Sequence, residues 1–310
     1  MYLVTGATGN VGSELVRALH ADGEPVRAIV HSNPADDGFP TGVDVRSGDL
    51  TDPSTLRDAW EGVRGVFLLP GYDQAPTFLR DARAAGVERL VLLSGGSAGS
   101  GDMSNAISAY MIASETAVRA SGLSWTILRP SAFMTNALRW RDKLDAGDVL
   151  RLPFAGVRTA AIDPFDLAAV ARAALLDDRH AERTYTPTGP ESLLPADQVR
   201  ILGEVLGRPL SVEAQPDEEA RKEMLTTTPP QYVDAFFDST SRAPSTSPRS
   251  LRQSSRSPAD GLARSGTGPR RTGRSSSADP FGPPPGEPAR DVTPRRPRAR
   301  PRPGAERAAQ

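Results

Sequence analysis

Short apolar runs alternate with longer amphipathic stretches over the first 240 residues. The runs at 2–5, 26–30, 43–47, 66–69, 89–94 and 124–129 are four to six residues long and predict β-strands. Between them, apolar positions recur every three or four residues. Val11, Leu15, Val16 and Leu19 set this spacing for a helix over 10–21, and further helices are expected at 54–60, 77–85 and 108–121. Continuous apolar strands such as V-F-L-L and L-V-L-L suit a parallel sheet covered on both faces. Repeated strand–helix units then imply right-handed crossovers and an open, doubly wound α/β sheet.

Beyond Arg129 the pattern loosens. Asp163-Pro164-Phe165-Asp166 reads as a helix start, with a capping acid, a proline in the first turn and a second acid beside it. A helix over 165–176 follows. A strand near 184–187, a helix over 196–206, a strand over 210–214 and helices near 216–225 and 230–237 come next. These predict three parts: a core over 1–130, a smaller substrate-side α+β lobe over 131–238, and a tail over 239–310.

Charge separates the tail from the rest. The net charge is −1, yet 241–310 holds 15 Arg against 5 acidic residues, a net of +10. The preceding 240 residues hold 22 basic and 33 acidic residues, a net of −11. The tail is rich in Pro, Ser and Gly and poor in large apolar residues, a composition that predicts disorder. Its run R-R-P-R-A-R-P-R-P is the one feature pointing to nucleic acid or another polyanion. No aromatics interleave with those arginines, so a solvated tail is the expectation. The composition break near Ser239 is also what an out-of-frame reading of a GC-rich gene would produce.

The chain has no cysteine, which excludes disulfides and thiol chemistry within it. Its three histidines, His20, His31 and His180, are widely spaced, and no metal site is expected. No apolar run reaches the ~18 residues that a bilayer span needs, and no signal peptide is visible, so a soluble cytoplasmic protein is the expectation.

The chemistry concentrates in M-Y-L-V-T-G-A-T-G-N-V-G at the N-terminus. Three glycines fall where a strand ends and a helix begins, the geometry that holds a dinucleotide pyrophosphate. Gly6 suits a tight turn, Gly9 suits close approach of backbone to phosphate, and Gly12 suits close helix–strand packing.

With V-T-G-A-T-G-N-V-G at 4–12, the motifs G-D-L-T-D-P at 48–53, G-V-F-L-L-P at 65–70 and L-V-L-L-S at 90–94 fall in order along the chain. S-G-L-S-W-T-I-L-R-P at 121–130 and I-D-P-F-D-L-A at 162–168 complete the set. Together they resemble the NmrA-like branch of the atypical short-chain dehydrogenase/reductases, over about residues 1–238. That branch includes type 2 quinone oxidoreductases, isoflavone-reductase-like enzymes and NADP-sensing regulators, all built on an NAD(P)-binding Rossmann sheet. The resemblance implies that Gly6, Thr8, Gly9, Asn10, Val11 and Gly12 contact pyrophosphate and ribose. It places Asp49 and Leu50 beside the adenine, Leu69 and Pro70 in the nicotinamide-side loop, and Ser94 near the nicotinamide ribose. The resemblance stops near Phe237-Asp238.

Two departures bear on function. The second strand ends V-R-A-I-V-H-S-N, without the acid that binds the ribose hydroxyls of NAD. His31 stands where the family often has arginine, and with Ser32 and Asn33 it can donate hydrogen bonds to a 2′-phosphate; NADP(H) is therefore expected over NAD(H). The second departure is catalytic. Typical short-chain dehydrogenases carry Tyr-x-x-x-Lys, in which the cation lowers the tyrosine pKa. Here Tyr110 is followed four residues later by Ser114. Tyr110 remains the candidate acid, with a lining or core role as the alternative, and alcohol oxidation and sugar epimerisation become poor fits.

Hydride transfer to a quinone needs no such base, because the product phenolate takes a proton from water. Tyr72, Phe133, Met134 and Asn136 are the candidate pocket residues for a small quinone-like substrate, with a core role as the alternative. The leading expectation is an NAD(P)H-dependent, quinone-reductase-like oxidoreductase; the rival is a non-catalytic NADP-sensing regulator.

Overall fold

The computed structural model describes residues 1–31 and 38–241. Ser32, Asn33 and residues 242–310 of the expected tail lie outside the described residues, while 239–241 end the last described helix. Seven parallel strands form the main sheet: β1 (Tyr2–Val4), β2 (Val26–Val30), β3 (Asp44–Ser47), β4 (Gly65–Leu68), β5 (Arg89–Leu93), β6 (Ser124–Leu128) and, after β7 (Val149–Leu152), β8 (Arg183–Tyr185). Their order is β3-β2-β1-β4-β5-β6-β8. The chain winds outward one way from β1 to β3 and the other way from β4 onward. The switch therefore lies between β1 and β4, where Leu3 pairs with Val66.

Strand alternation divides the core into two layers. Tyr2, Val4, Phe67, Val91 and Leu128 point to one face and pack with Leu15 and Leu19 of α1 (Asn10–Ala21). Leu3, Val66, Leu68, Leu90, Leu92 and Ile127 point to the other, against Phe78 and Leu79 of α2 (Ala75–Ala84) and Val118 of α3 (Ala106–Ala120). These side chains are almost wholly buried, each worth about 1.5–3 kcal/mol of apolar transfer, and they fix the strand tips that carry the site.

The expected doubly wound sheet is present, with local differences. The segment expected as a helix over 54–60 is a 3-10 turn over Pro53–Ala59. Its buried residues, Leu56 and Ala59, are three apart, which matches three residues per turn. After β6, a 3-10 segment (Met134–Trp140) and α4 (Arg141–Ala146) bury no residue, so they had no apolar periodicity to announce them.

Strand β7 alternates exposed and buried residues over only four positions. It pairs in parallel with β9 (Ser211–Ala214) to form a separate two-stranded sheet. Leu150 and Leu152 pack there with Val199 of α6 (Pro195–Leu206).

Two elements from the stretch after residue 130 return to the main sheet. β8 is its edge strand, and α5 (Pro164–Leu176) packs Leu167, Ala168, Ala171 and Leu175 into the α1 layer. Asp163 caps α5 as expected, accepting the Phe165 N–H at 2.8 Å. α7 (Asp217–Met224) and α8 (Pro230–Ser241) close the described chain. α8 bridges the lobes: Tyr232 and Ala235 pack near Tyr110 of α3, while Val233 and Phe237 pack on Ala220 of α7. Among the described residues no helix is long and apolar enough to cross a membrane.

Candidate cofactor and substrate site

The turn after β1 is shaped by its glycines. Gly6 has φ +58°, a left-handed conformation that a side chain disfavours. A Cβ there would also strike Leu69 Cδ1 at 2.4 Å, so Leu69 lies directly over the turn. At Gly12 a Cβ would stand 2.2 Å from the Gly6 carbonyl oxygen, and only a glycine lets α1 pack this close. Gly9 is the N-cap of α1 and supplies no side chain to its free N–H groups; no acid occupies the first turn. Thr5 is fully buried and stitches the two strand tips, donating to the Phe67 carbonyl at 2.9 Å and accepting the Leu69 N–H at 3.2 Å.

An α-helix N-terminus without a capping side chain, at the switch point of a parallel sheet, fits a diphosphate. The residues present therefore fit a dinucleotide: a Cβ at Gly9 would have only the Gly6 carbonyl oxygen near it, at 3.2 Å, while one at Gly12 would push α1 off the turn.

The other expected site residues sort into two groups. One group, after β2, β3 and β4, is His31, Asp49, Leu50 and Tyr72. His31 is exposed at the tip of β2. The Asp49 carboxylate accepts the Thr51 side-chain and backbone hydrogen bonds, which hold its pKa below the ordinary value. Leu50 is buried in the second core layer. Tyr72 packs against that same layer; burial first and the Asp49 charge second push its phenol up to about 12. Tyr72 thus groups with Asp49 and not with the other pocket candidates. Arg27 is spent within the sheet: it pairs with Asp44 and donates to the Ala59 carbonyl at 2.6 Å.

The other group centres on the segment after Pro130. Asn10 Nδ2 donates to Thr135 Oγ1 at 3.3 Å, joining the glycine turn to this segment. Phe133 bridges to Ile162 and packs against the first core layer, and the Met134 N–H donates to the Ile162 carbonyl at 2.9 Å. The Met134 side chain is exposed. Asn136 keeps its Oδ1 buried without a hydrogen-bond partner. Thr8 is exposed, Val11 is buried in the α1 layer, and Pro70 is half-buried beside Leu69.

Helix α3 lies beside both groups. Tyr110 stacks edge-on against Tyr232 of α8 with ring centroids 6.5 Å apart. Burial, then Tyr232, pushes its phenol up to about 12. Ser114 is buried; its hydroxyl donates to the Tyr110 carbonyl at 2.8 Å and accepts the Gly71 N–H at 3.0 Å, tying α3 to the loop after β4. Ser94, at the tip of β5, donates to Glu115 Oε1 at 2.7 Å.

Glu115 and Arg129 were not among the sequence candidates. The available signal was modest: Glu115 is the single acid on α3, and Arg129 ends a strand immediately before a proline. Among the described residues no cluster of metal-binding side chains occurs.

The sequence pattern of a family described as NAD(P)H-binding matches residues 6–178. The chain belongs to this NAD(P)H-binding family. This agrees with the likeness to NmrA-like atypical short-chain reductases. Within the family, the (4-alkanoyl-5-oxo-2,5-dihydrofuran-3-yl)methyl phosphate reductase of Streptomyces griseus is 38% identical over 245 residues, which is 78% of this chain and 86% of that protein. The NAD(P)H azoreductase of Xenophilus azovorans is 32% identical over 251 residues, 79% of this chain and 87% of that protein. The crystal structure of an NADPH-dependent quinone oxidoreductase from Escherichia coli superposes with a TM-score of 0.66, covering 82% of this chain and 94% of that one. At 23% identity, that superposition shows the shared fold.

Proposed function

We propose that this chain is an NAD(P)H-dependent oxidoreductase that reduces a quinone or similar small electrophile, with NADP(H) as the preferred coenzyme. One observation carries the reading: the N-terminus of α1, uncapped by any side chain, opens at the switch between β1 and β4 beside the segment that begins at Pro130. The bound coenzyme would supply a hydride. Gly6, Gly9 and Gly12 and the first amides of α1 hold its diphosphate, while Asn10 and Val11 flank it. Asp49 and Leu50 border the adenine, and His31 offers a hydrogen bond or charge to a 2′-phosphate. Leu69, Pro70 and Ser94 line the nicotinamide side. Phe133, Met134 and Asn136 orient the substrate, and Tyr72 closes the adenine side.

Among the described residues no cation acts on Tyr110, and its phenol at about 12 is a weak acid at neutral pH. The site therefore suits acceptors whose reduced form takes its proton from water. Reduction of an electron-poor ring meets this condition, and the reductase relatives support it. The same feature supports the rival, a coenzyme-binding regulator without turnover.

NADPH binding by fluorescence titration, followed by NADPH oxidation with and without a simple quinone, separates the two. Quinone-dependent oxidation supports the reductase. Tight binding with no turnover over several quinones and azo dyes moves the assignment to the regulator, and no binding removes both.

A further inference from the structure

Glu115 is 3% exposed, and its carboxylate is fully engaged. Oε1 accepts from Ser94 Oγ at 2.7 Å and from Arg129 Nε at 2.7 Å. Oε2 accepts from Arg129 Nη2 at 2.6 Å and from Arg119 Nη2 at 3.0 Å. A guanidinium can only donate and an ionised carboxylate can only accept. The direction of the Ser94 contact follows: its hydroxyl hydrogen is committed to Glu115. Burial raises the Glu115 pKa, but the hydrogen bonds from Arg129 and Ser94 and the charges of Arg129 and Arg119 hold it below the ordinary value. The carboxylate thus stays ionised at neutral pH.

The remaining lone pairs of Ser94 Oγ are free to accept. Ser94 is buried at the tip of β5, with its N–H donating to the Leu128 carbonyl at 2.7 Å. It stands at the edge of the sheet where a parallel α/β fold binds ligand. Two arginines already balance the carboxylate, and the serine contact sets the direction of the buried Ser94 hydroxyl.

We infer that Glu115 is a positioning residue for the coenzyme: it fixes Ser94 as a pure hydrogen-bond acceptor for a hydroxyl or amide N–H on the nicotinamide half. Arg129 orients the carboxylate and also begins the segment that carries Phe133 and Asn136, so one buried group ties the coenzyme wall to the substrate wall. Ser94 consequently has no proton to give a substrate. The inference rests on the coenzyme reading of the glycine turn.

The test uses the full chain, titrated with NADPH and, by competition, with 2′,5′-ADP, which lacks the nicotinamide half. Ser94→Ala should weaken NADPH binding about fivefold and leave 2′,5′-ADP binding unchanged. Glu115→Asp keeps the charge for Arg129 but withdraws from Ser94, and should show the same selective loss. In the Ser94→Ala background Glu115→Asp should add nothing, and Ser94→Thr, which retains the hydroxyl, should restore NADPH affinity. Equal losses for both ligands, or NADPH binding indifferent to Ser94→Ala, overturn the inference. If Glu115→Asp does not fold, the Ala and Thr variants of Ser94 still decide it. A native protein that binds neither ligand removes the coenzyme reading instead. If NADH binds better than NADPH, NADH and ADP replace the pair.

Discussion

The glycine turn at 6–12 and the helical turn from Tyr110 to Ser114, both assigned to the proposed site, are built to opposite ends. In the first, everything that would obstruct an anion has been removed: Gly9 leaves the N-terminus of α1 bare, and Gly12 brings the helix against the Gly6 carbonyl. In the second, the serine is already engaged by the protein. Ser114 bonds Gly71 and the Tyr110 carbonyl, and Tyr110 packs under Tyr232. The first region is open for a ligand, and the second holds the walls together. A fold that elsewhere runs acid–base chemistry is thereby read here as binding and orienting, with the proton left to water.

The largest expected effect is on the open region. Gly9→Asp puts a carboxylate at the N-terminus of α1, where like charge against a diphosphate should cost about a hundredfold or more in NADPH affinity. Aspartate is a good N-cap, so thermal stability should hold or rise by a few tenths of a kcal/mol. Fluorescence titration together with a melting curve checks both halves. A variant that still binds NADPH would separate the turn from the coenzyme.

Gly12→Ala should act on both stability and binding. Its Cβ would meet the Gly6 carbonyl oxygen at 2.2 Å, and backbone cannot swing aside. A loss of about 1–3 kcal/mol in denaturant unfolding is expected, with weaker NADPH binding as α1 is displaced. Unchanged stability would contradict the packing described.

These effects follow from features that the sequence displayed openly. Apolar runs and glycine spacing announce the strands, α1 and the turn, because a fully buried strand and a phosphate cradle leave little choice of residue. The segments over Met134–Trp140 and Arg141–Ala146 escape the same reading, since no residue in them is buried as a whole. Glu115 and Arg129 escape it for another reason. Residues 14 apart meet only because β5, α3 and β6 are neighbours, and no local pattern encodes that. Tyr72 follows β4 and packs on the second core layer within reach of the Asp49 charge, a neighbourhood that its position in the sequence did not announce.

A smaller effect is expected at Ser114. Ser114→Ala leaves the Gly71 N–H without its partner and should cost about 1 kcal/mol of stability, read by denaturant unfolding. Loosening of the loop after β4 should raise the KM for NADPH more than it lowers kcat. A collapse of kcat at unchanged KM would instead place Ser114 in the chemistry.

The least effect is expected at Tyr110, and it bears most directly on the claim that this site reduces without a protein acid. The measurement is quinone-dependent NADPH oxidation by the native protein and by Tyr110→Phe from pH 6 to 9. With the Tyr110 phenol pushed up to about 12, the group stays neutral throughout and contributes no limb to the profile. The two proteins should give kcat values within about threefold of one another and parallel pH profiles. A loss of about a hundredfold or more in kcat for Tyr110→Phe, with NADPH binding intact, would contradict it and return the tyrosine to the role of general acid.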